Sequence, residues 1–441
     1  MSETRASRHW AGRGRRGPRL AAGMVVVLAC GAGHAGDRFA DVRQFPAGGF
    51  PFGIEAADLD GDGLADLAVS SYGDGDVSVL LATGDGFASQ VRYPAGLEAR
   101  AVVSADFDGD GVVDLAATDS ALDAVLLLPG VGGGVFGPPL STAVGMTPHA
   151  LFVGELSGDA LPDLAVANFR GDSAQILTSV GAGGFTSGQV IPAGSVAFAV
   201  DGADYDGDGV LDLAVVSRFS DEVRVLRGIG DGSFAVMATV RVGIQPHDVV
   251  SGDFDGDSDI DLAVAIAGVG GAGMSGIEVL WNDGVGGTGW LSSFFPAGGA
   301  VNGVAAGDLD GDGDLDLAAS DLFGDAIVTL RGDGLGGFGA WETIPTGTDP
   351  RAVVAADLNG DGVLDLAAVC SGADAVSVAF NAGGDGCVAD LDGDGDLDLD
   401  DIGAFVVAFQ GMMPLADLDG DGAFDLDDIG VFVGAFVAGC P

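Results

Sequence analysis

The residues best suited to chemistry are aspartates in a short motif, D-x-D-G-D-G-x-x-D-L, that recurs along the chain. Carboxylates at positions 1, 3, 5 and 9, with a backbone carbonyl at position 7, can wrap one calcium ion, and glycine at position 6 allows the sharp turn. Four copies match fully and supply these candidate ligands: Asp58, Asp60, Asp62 and Asp66; Asp106, Asp108, Asp110 and Asp114; Asp204, Asp206, Asp208 and Asp212; Asp308, Asp310, Asp312 and Asp316. We predict that these loops, numbered 1, 2, 4 and 6, bind Ca2+.

Three further copies depart from the motif. Loop 5 keeps Asp253, Asp255, Asp257 and Asp261 but has Ser258 at the glycine position, where backbone strain would weaken it. Loop 7 has Asn359 among Asp357, Asp361 and Asp365, and this amide still supplies an oxygen. We predict that both loops also bind Ca2+. Loop 3 offers Glu155, Ser157, Asp159 and Asp163, with Ala160 at the glycine position and Pro162 beside it, so we expect it to be weak or empty. Ordinary Asp-Gly turns without metal are the alternative, but close carboxylates repel one another when no cation is present.

Composition limits the class of protein. The 441 residues carry a formal charge of −49, and all 17 basic residues are arginine. So acidic a chain is not a nucleic-acid binder that works by neutralising phosphates. A hydrophobic content of 48% argues against acidic disorder, and 79 glycines indicate a turn-rich, mostly β protein.

The loops belong to seven repeats whose starting positions differ by 48, 49, 49, 49, 55 and 49 residues. A glycine precedes every loop by ten residues, and an aromatic residue precedes that glycine by eight or nine. Each repeat contains about four short strand patterns, which is typical of one propeller blade. The last repeat lacks its aromatic strand, and the first begins with that piece, from Phe39 to Gly48. We therefore predict a mainly β, seven-bladed β-propeller of four-stranded blades, closed into a ring; an open solenoid is the alternative.

These motifs resemble the FG-GAP/VCBS repeat family, known from the integrin α-subunit propeller and from bacterial secreted proteins. The literal FG pair survives at Phe136-Gly137 and Phe338-Gly339. The resemblance covers residues 36–386 approximately and implies a calcium-stabilised propeller.

Residues 387–441 contain two loops of another type, 27 residues apart, with acids at positions 1, 3, 5, 9 and 12: Asp390, Asp392, Asp394, Asp398 and Asp401; Asp417, Asp419, Asp421, Asp425 and Asp428. A helical pattern follows each loop. This segment resembles a dockerin, which implies a small α-helical, EF-hand-type module whose partner is a cohesin-like or cell-envelope protein. Cys387 and Cys440 bracket it and are predicted to form a disulfide. A calcium-binding cap without a partner is the alternative.

The N-terminus has the order of a secretory signal: six arginines, an apolar run from Leu20 to Cys30, and small residues up to Ala35. We predict a signal peptide at residues 1–35, a secreted or cell-envelope-associated product, and no transmembrane segment in the mature chain. Two alternatives remain, a buried N-terminal helix and a lipobox that would leave Cys30 lipidated.

One position in every repeat, four residues after the glycine that precedes the loop, holds a mixed set of side chains: Phe52, Arg100, His149, Phe198, His247, Asn302 and Arg351. In a propeller these seven residues, here called the ring residues, would surround the central funnel on the face opposite the metal loops. Such a set suits a polar ligand, either a glycan or an acidic side chain. Ordinary loop packing is the alternative.

No catalytic motif stands out, and the repeats are nearly uniform. We therefore predict a non-enzymatic binding, adhesion or scaffold protein. The alternative is a carbohydrate-active enzyme for polysaccharide catabolism, of the polysaccharide lyase or glycoside hydrolase type, on the same scaffold.

Overall fold

The computed structural model describes residues 38–39, 41–84, 86–181, 184–268, 274–284, 289–382, 405–406 and 429. The predicted signal peptide lies outside these residues. So does nearly all of 387–441, including the two acidic loops, their helical patterns and the Cys387–Cys440 pair.

Between residues 41 and 380 the chain forms thirty strands. In chain order they are β1 (Asp41–Pro46), β2 (Pro51–Ala57), β3 (Asp66–Ser71), β4 (Asp76–Leu80), β5 (Val91–Pro94), β6 (Ala99–Ala105), β7 (Asp114–Asp119), β8 (Ala124–Leu128), β9 (Gly130–Gly132), β10 (Val135–Phe136), β11 (Leu140–Ala143), β12 (Pro148–Gly154), β13 (Asp163–Asn168), β14 (Ser173–Ser179), β15 (Phe185–Pro192), β16 (Ala197–Ala203), β17 (Asp212–Ser217), β18 (Glu222–Gly228), β19 (Phe234–Arg241), β20 (Pro246–Gly252), β21 (Asp261–Ile266), β22 (Gly276–Trp281), β23 (Leu291–Pro296), β24 (Val301–Gly307), β25 (Asp316–Asp321), β26 (Ala326–Gly332), β27 (Phe338–Pro345), β28 (Pro350–Ala356), β29 (Asp365–Cys370) and β30 (Ala375–Phe380).

Seven four-stranded sheets make seven blades. Blades 1 to 6 contain β2–β5, β6–β8 with β11, β12–β15, β16–β19, β20–β23 and β24–β27, and blade 7 contains β28–β30 with β1. Neighbouring strands within a blade are antiparallel; in the closing pair, Asp41 of β1 lies opposite Phe380 of β30. The innermost strands contact one another in cyclic order, and β28 returns to β2. The ring predicted from the two ends of the array is therefore confirmed, and it leaves no open blade edge at the junction.

The two repeating motifs meet between blades, which explains their fixed spacing. The second residue of each loop packs with the aromatic residue of the following blade. Phe107 and Phe185 make an edge-to-face pair with ring centroids 5.1 Å apart, and Tyr205 and Trp290 do the same at 6.0 Å. Seven hydrophobic clusters each contain such a pair, including one between Leu309 and Phe39 across the closure.

Two details lie outside the repeat pattern. Blade 2 carries an extra hairpin of β9 and β10, which the sequence pattern did not predict. Its turn uses three consecutive glycines with positive φ, a conformation that glycine adopts at little cost. Cys370 lies in the apolar strand β29, is buried, and forms no disulfide within the described residues. Among the described residues, no helix is long and apolar enough to cross a membrane.

Candidate metal centres and central cavity

The metal loops and the ring residues lie at opposite ends of the same strands. Each loop joins the innermost strand of a blade to its second strand, so that position 9 is the first residue of the second strand. Each ring residue is the second residue of an innermost strand. In the seven-residue strand β2, for example, Phe52 is the second residue, and the loop that starts at Asp58 follows directly after the last residue.

In the described part of the chain, five loops bring carboxylates together closely enough to share a metal ion. Ligand oxygens lie within 4.8 Å of one another in each group: Asp58, Asp60 and Asp62; Asp106, Asp108 and Asp114; Asp204, Asp206 and Asp212; Asp253, Asp255 and Asp261; Asp308, Asp310 and Asp316. In one of the groups a buried oxygen has neither a hydrogen bond nor an ion pair, namely Oδ1 of Asp206. An orphaned carboxylate oxygen inside a carboxylate cluster fits a hard cation with oxygen ligands.

The backbone shapes each loop around its first aspartate. Oδ1 of Asp58 accepts hydrogen bonds from the amides of Gly61 and Asp62, and Oδ2 accepts one from Gly63. Gly63 has a φ of 90°, which favours glycine at position 6. In loop 3, Oε1 of Glu155 accepts from three backbone amides in the same way. The turn can therefore form without a complete set of ligands.

The position 9 aspartate has a structural role that the sequence did not reveal. Oδ2 of Asp66 accepts a hydrogen bond from the Leu59 amide at 2.9 Å, and Oδ1 accepts one from the Ala82 amide at 2.7 Å. The carboxylate thus joins its own loop to the end of the third strand. The same pair of bonds recurs at Asp114, Asp163, Asp212, Asp261, Asp316 and Asp365.

Burial shifts the acidity of these seven carboxyl groups. All are at most 2% exposed, and desolvation is the largest cause of their raised pKa. The pKa reaches about 6 for Asp66, Asp212 and Asp365, and about 7 for Asp261 and Asp316. An uncompensated charge here is costly, which is a further reason for a cation beside it.

Loops 3 and 5 contain the backbone strain expected from their sequences. Ala160 has a φ of 71° and Ser258 a φ of 75°, both at position 6. A side chain in this left-handed region costs about 1–2 kcal/mol. Within the described residues, the carboxylates of loop 3 do not form a close group.

Replacing Ala160 with glycine should relieve this strain. Glycine also loses more entropy on folding, about 0.5–1 kcal/mol, so the expected net gain in the free energy of unfolding is up to about 1 kcal/mol for Ala160→Gly. Urea unfolding measures it. Gly63→Ala in loop 1 is the matched reverse change and should destabilise by a similar amount; equal stability of all three proteins would contradict the interpretation.

Two loops already contain a guanidinium group. Arg227 on β18 contacts Asp206 through Nε at 2.9 Å and Asp208 through a terminal nitrogen at 2.7 Å. Arg331 on β26 contacts Asp310 and Asp312 in the same way. The chain thus supplies part of the counter-charge in loops 4 and 6.

At the other end of the strands, all seven ring residues line one central cavity of about 210 Å³. A register shift occurs at each of these positions, for example between Pro148 and Ala150 around His149. A bulge redirects the side chain of the residue that it contains. The bulges therefore present one residue of every blade to the same space.

The two histidines are held in an aromatic stack. The His149 ring lies 4.0 Å from the Phe198 ring, which stacks on His247 at 4.9 Å with an interplanar angle of 18°. Nδ1 of His149 is 2.8 Å from the Phe198 carbonyl oxygen, and Nδ1 of His247 is 2.6 Å from Oδ1 of Asn302. Desolvation lowers the pKa of His149 to about 3 and that of His247 to about 4, so both are neutral at pH 7.

Three arginines surround this stack. Arg100 lies over the Phe52 and Tyr72 rings, Arg351 also lies over Phe52, and Arg218 lies over Phe198. Desolvation lowers the pKa of all three guanidinium groups. In the described part of the chain, these three arginines form no ion pair, although acids outnumber basic residues 66 to 17. Their charge is available to a ligand.

Two acids line the same cavity. Oε1 of Glu55 accepts a hydrogen bond from Ser104, and Asp248 accepts bonds from the amides of Val249 and Val304. Desolvation raises the pKa of both acids to about 7. Much of their charge is therefore absent at neutral pH, and their oxygens serve the blade structure.

Sequence reasoning missed Tyr72, Phe169 and Arg218, which join the ring residues from the turn after the second strand. They follow position 9 of their loops by six residues. A backbone hydrogen bond fixes this position in each blade, such as the one from the Arg218 amide to the Val196 carbonyl. The constant offset was the signal that could have identified them.

Fold and loops together define a seven-bladed propeller built from repeats with acidic loops. The family model described as FG-GAP-like repeat matches residues 58–117, 155–215, 204–264, 253–319 and 322–368, which is more than half of the chain. The chain therefore belongs to the FG-GAP-like repeat family, as its motifs indicate. No curated protein matches it.

Solved structures of low identity share the fold. A catalytically inactive virginiamycin B lyase from Staphylococcus aureus, solved with quinupristin, is 12% identical with a TM-score of 0.52, and the match covers 76% of this chain and 98% of that one. BBS1N in complex with ARL6DN, from a mercury-soaked crystal, is 13% identical with a TM-score of 0.54, covering 76% and 93%. At these identities the likeness concerns the fold alone.

Proposed function

We propose that this protein is a secreted, calcium-stabilised propeller that binds a ligand in its central cavity and catalyses no reaction. The observation that carries the proposal is the convergence of one bulged residue per blade on a single cavity. Two arginines of its lining, Arg100 and Arg351, form no ion pair in the described structure and supply that cavity with positive charge.

Calcium is the cation that suits the loops. Their ligands are carboxylate oxygens on flexible turns, a donor set that calcium accepts in irregular geometry. Loops 1, 2, 4, 5 and 6 would hold an ion through the grouped aspartates. Loop 7 would add the Asn359 amide oxygen, although its Nδ2 now donates to Asp361. The bound ion would offset the repulsion among the carboxylates.

Ligand binding is tested on immobilised full-length protein in calcium buffer. The probes are an acidic polysaccharide, a neutral polysaccharide and an acidic protein. At least one should be retained, and Arg100→Met should weaken its retention about 10- to 100-fold, as expected for losing hydrogen bonds to a charged group. Arg241→Met, on the exposed outer strand β19, is the matched control and should have no effect.

The same samples test the enzyme alternative. New reducing ends or unsaturated products that disappear in His247→Ala would establish a carbohydrate-active enzyme and contradict the binding-only function. If no probe is retained in a manner that depends on Arg100, the cavity is not the ligand site.

Export and anchoring complete the proposal. Residues 1–35 would direct secretion, and residues 387–441 would fold around calcium and dock onto a cohesin-like or cell-envelope protein. The mass of the exported protein distinguishes cleavage after Ala35 from lipidation at Cys30. Capture of an envelope partner that chelator does not reverse would contradict calcium-dependent docking.

A further inference from the structure

Hydrogen bonds determine which ring nitrogen of His247 carries the proton. Nδ2 of Asn302 donates to the carbonyl oxygen of Arg351 at 3.3 Å, which directs Oδ1 toward His247. An amide oxygen can only accept, so the hydrogen between Oδ1 and Nδ1 belongs to the histidine. Nε2 of the neutral ring is then an acceptor.

His149 is fixed in the same tautomer. Its Nδ1 lies beside the Phe198 carbonyl oxygen, which also can only accept. Burial, together with the positive charges of Arg100 near His149 and Arg218 near His247, keeps both rings neutral. At neutral pH, the wall of the cavity therefore contains two imidazole nitrogens that accept hydrogen bonds.

The Nε2 acceptor of His247 is unsatisfied. The side chain is 7% exposed, and Nε2 is buried without a hydrogen-bond partner. An unpaired buried polar atom costs about 1–3 kcal/mol and is rare in native structures. Its position in the cavity wall suggests that the missing donor comes from a ligand.

The same wall contains an unsatisfied donor. The Nε group of the lining residue Arg100 is buried without an acceptor, and Arg100 forms no ion pair in the described structure. Arg218 lies over the Phe198 ring, outside the cavity lining. Arg351 has Nε bonded to Ser371, while its guanidinium lies over Phe50 and Phe52. A complementary ligand thus needs an anionic acceptor for the arginines and a hydroxyl donor for the histidine.

Few ligand classes combine these two groups on neighbouring atoms. An Asp or Glu side chain supplies the anion but no hydroxyl, and a neutral sugar supplies hydroxyls but no charge. We propose that the cavity binds the terminal residue of an acidic glycan, with its carboxylate on Arg100 and Arg351 and a hydroxyl donating to Nε2 of His247. This inference rests on the proposed function, which makes the cavity a ligand site.

Size and shape agree with one sugar residue. The cavity volume of about 210 Å³ lies below the range of roughly 300–1,000 Å³ typical for drug-sized ligands. Phe52 and Phe198 provide apolar surface for the carbon-bound hydrogens of a sugar ring. Among the chain's own acids in the wall, Oε1 of Glu55 and both oxygens of Asp248 already accept hydrogen bonds from the protein.

Calorimetric titration of the full chain in calcium buffer tests the inference with three probes. Trigalacturonate carries carboxylates and hydroxyls, galactotriose carries hydroxyls alone, and an acetylated triglutamate peptide carries carboxylates alone. We expect trigalacturonate to bind about 10- to 100-fold more tightly than either of the others, because each lacks one of the two interactions.

Two variants connect the preference to the named residues. Arg351→Met should weaken trigalacturonate binding about 10- to 100-fold, whereas the control Arg241→Met should not change it. Asn302→Asp places a carboxylate beside His247 and favours the imidazolium, which converts Nε2 from acceptor to donor. This variant should lose the preference for trigalacturonate over triglutamate. Unchanged melting temperatures establish that each variant is folded.

Three results would overturn the inference. Equal or tighter binding of triglutamate that Arg351→Met abolishes would assign the cavity to acidic protein segments and would leave the proposed binding function intact. Equal binding of galactotriose would exclude recognition of the carboxylate by the arginines. The absence of cavity-dependent binding by all three probes would contradict both the inference and the proposed function.

Discussion

Excess chelator is expected to lower the melting temperature of the propeller by on the order of 15 °C. An ion that binds only the folded state adds about 2.7 kcal/mol when its free concentration is roughly a hundred times its Kd. Five loops group their carboxylates within 4.8 Å, so several such contributions would disappear together. The repulsion within each loop would then act without compensation.

The loops should not contribute equally. Arg227 and Arg331 already place a guanidinium on the carboxylates of loops 4 and 6. The equivalent strand positions in blades 1, 2 and 5 are Leu81, Pro129 and Trp281. The loss of stability in chelator should therefore originate mainly in loops 1, 2 and 5.

Differential scanning calorimetry measures this effect, with chelator presaturated with calcium as the control. Asp108→Asn in loop 2 should lower the melting temperature in calcium and have little effect in chelator, where the ion is already absent. A melt that excess chelator leaves unchanged would contradict the calcium interpretation of the loops.

The second large effect is expected at the position 9 aspartate and does not require metal. Asp163→Ala in loop 3 leaves the buried amides of Leu156 and Ser179 without their acceptor. At about 1–3 kcal/mol for each of the two unsatisfied groups, the free energy of unfolding should fall by about 2–6 kcal/mol.

Urea unfolding with and without chelator separates this structural role from a metal role. The matched control is Asp159→Ala in the same loop, because that exposed side chain accepts a single hydrogen bond from the neighbouring Leu161 amide. Asp163→Ala should be the more destabilising variant by several kcal/mol, equally in both buffers. If the two variants have similar stability, the double hydrogen bond does not hold the blade together.

Repetition made the fold predictable from the sequence. Each loop, its preceding glycine and its aromatic residue recur at nearly constant spacing, and the contacts between loop and aromatic explain why. The ring closure was predictable because Phe39 and the strand after it complete an otherwise unfinished last repeat. The extra hairpin at Gly130–Phe136 could not be predicted in this way, because only one of the seven repeats contains it.

The site was predictable in part, for a different reason. A constant register brings Arg100, His247 and the other ring residues to equivalent strand starts, so their convergence follows once the ring closes. The hydrogen bond between Asp66 and the Ala82 amide could not be predicted from the sequence. The two residues are 16 positions apart and come together only at the end of the third strand. Arg218 was missed because it lies in a turn, six residues after position 9 of its loop, and the seven repeats share no residue type at that position.

Calcium titration of metal-free full-length protein, with bound ion counted per chain, tests the central claim most directly. We expect saturable binding of at least five ions, the number of loops that group their carboxylates, and the loss of one ion in Asp108→Asn. The absence of saturable calcium binding, or an unchanged count in that variant, would contradict the assignment of the repeated acidic loops as metal sites.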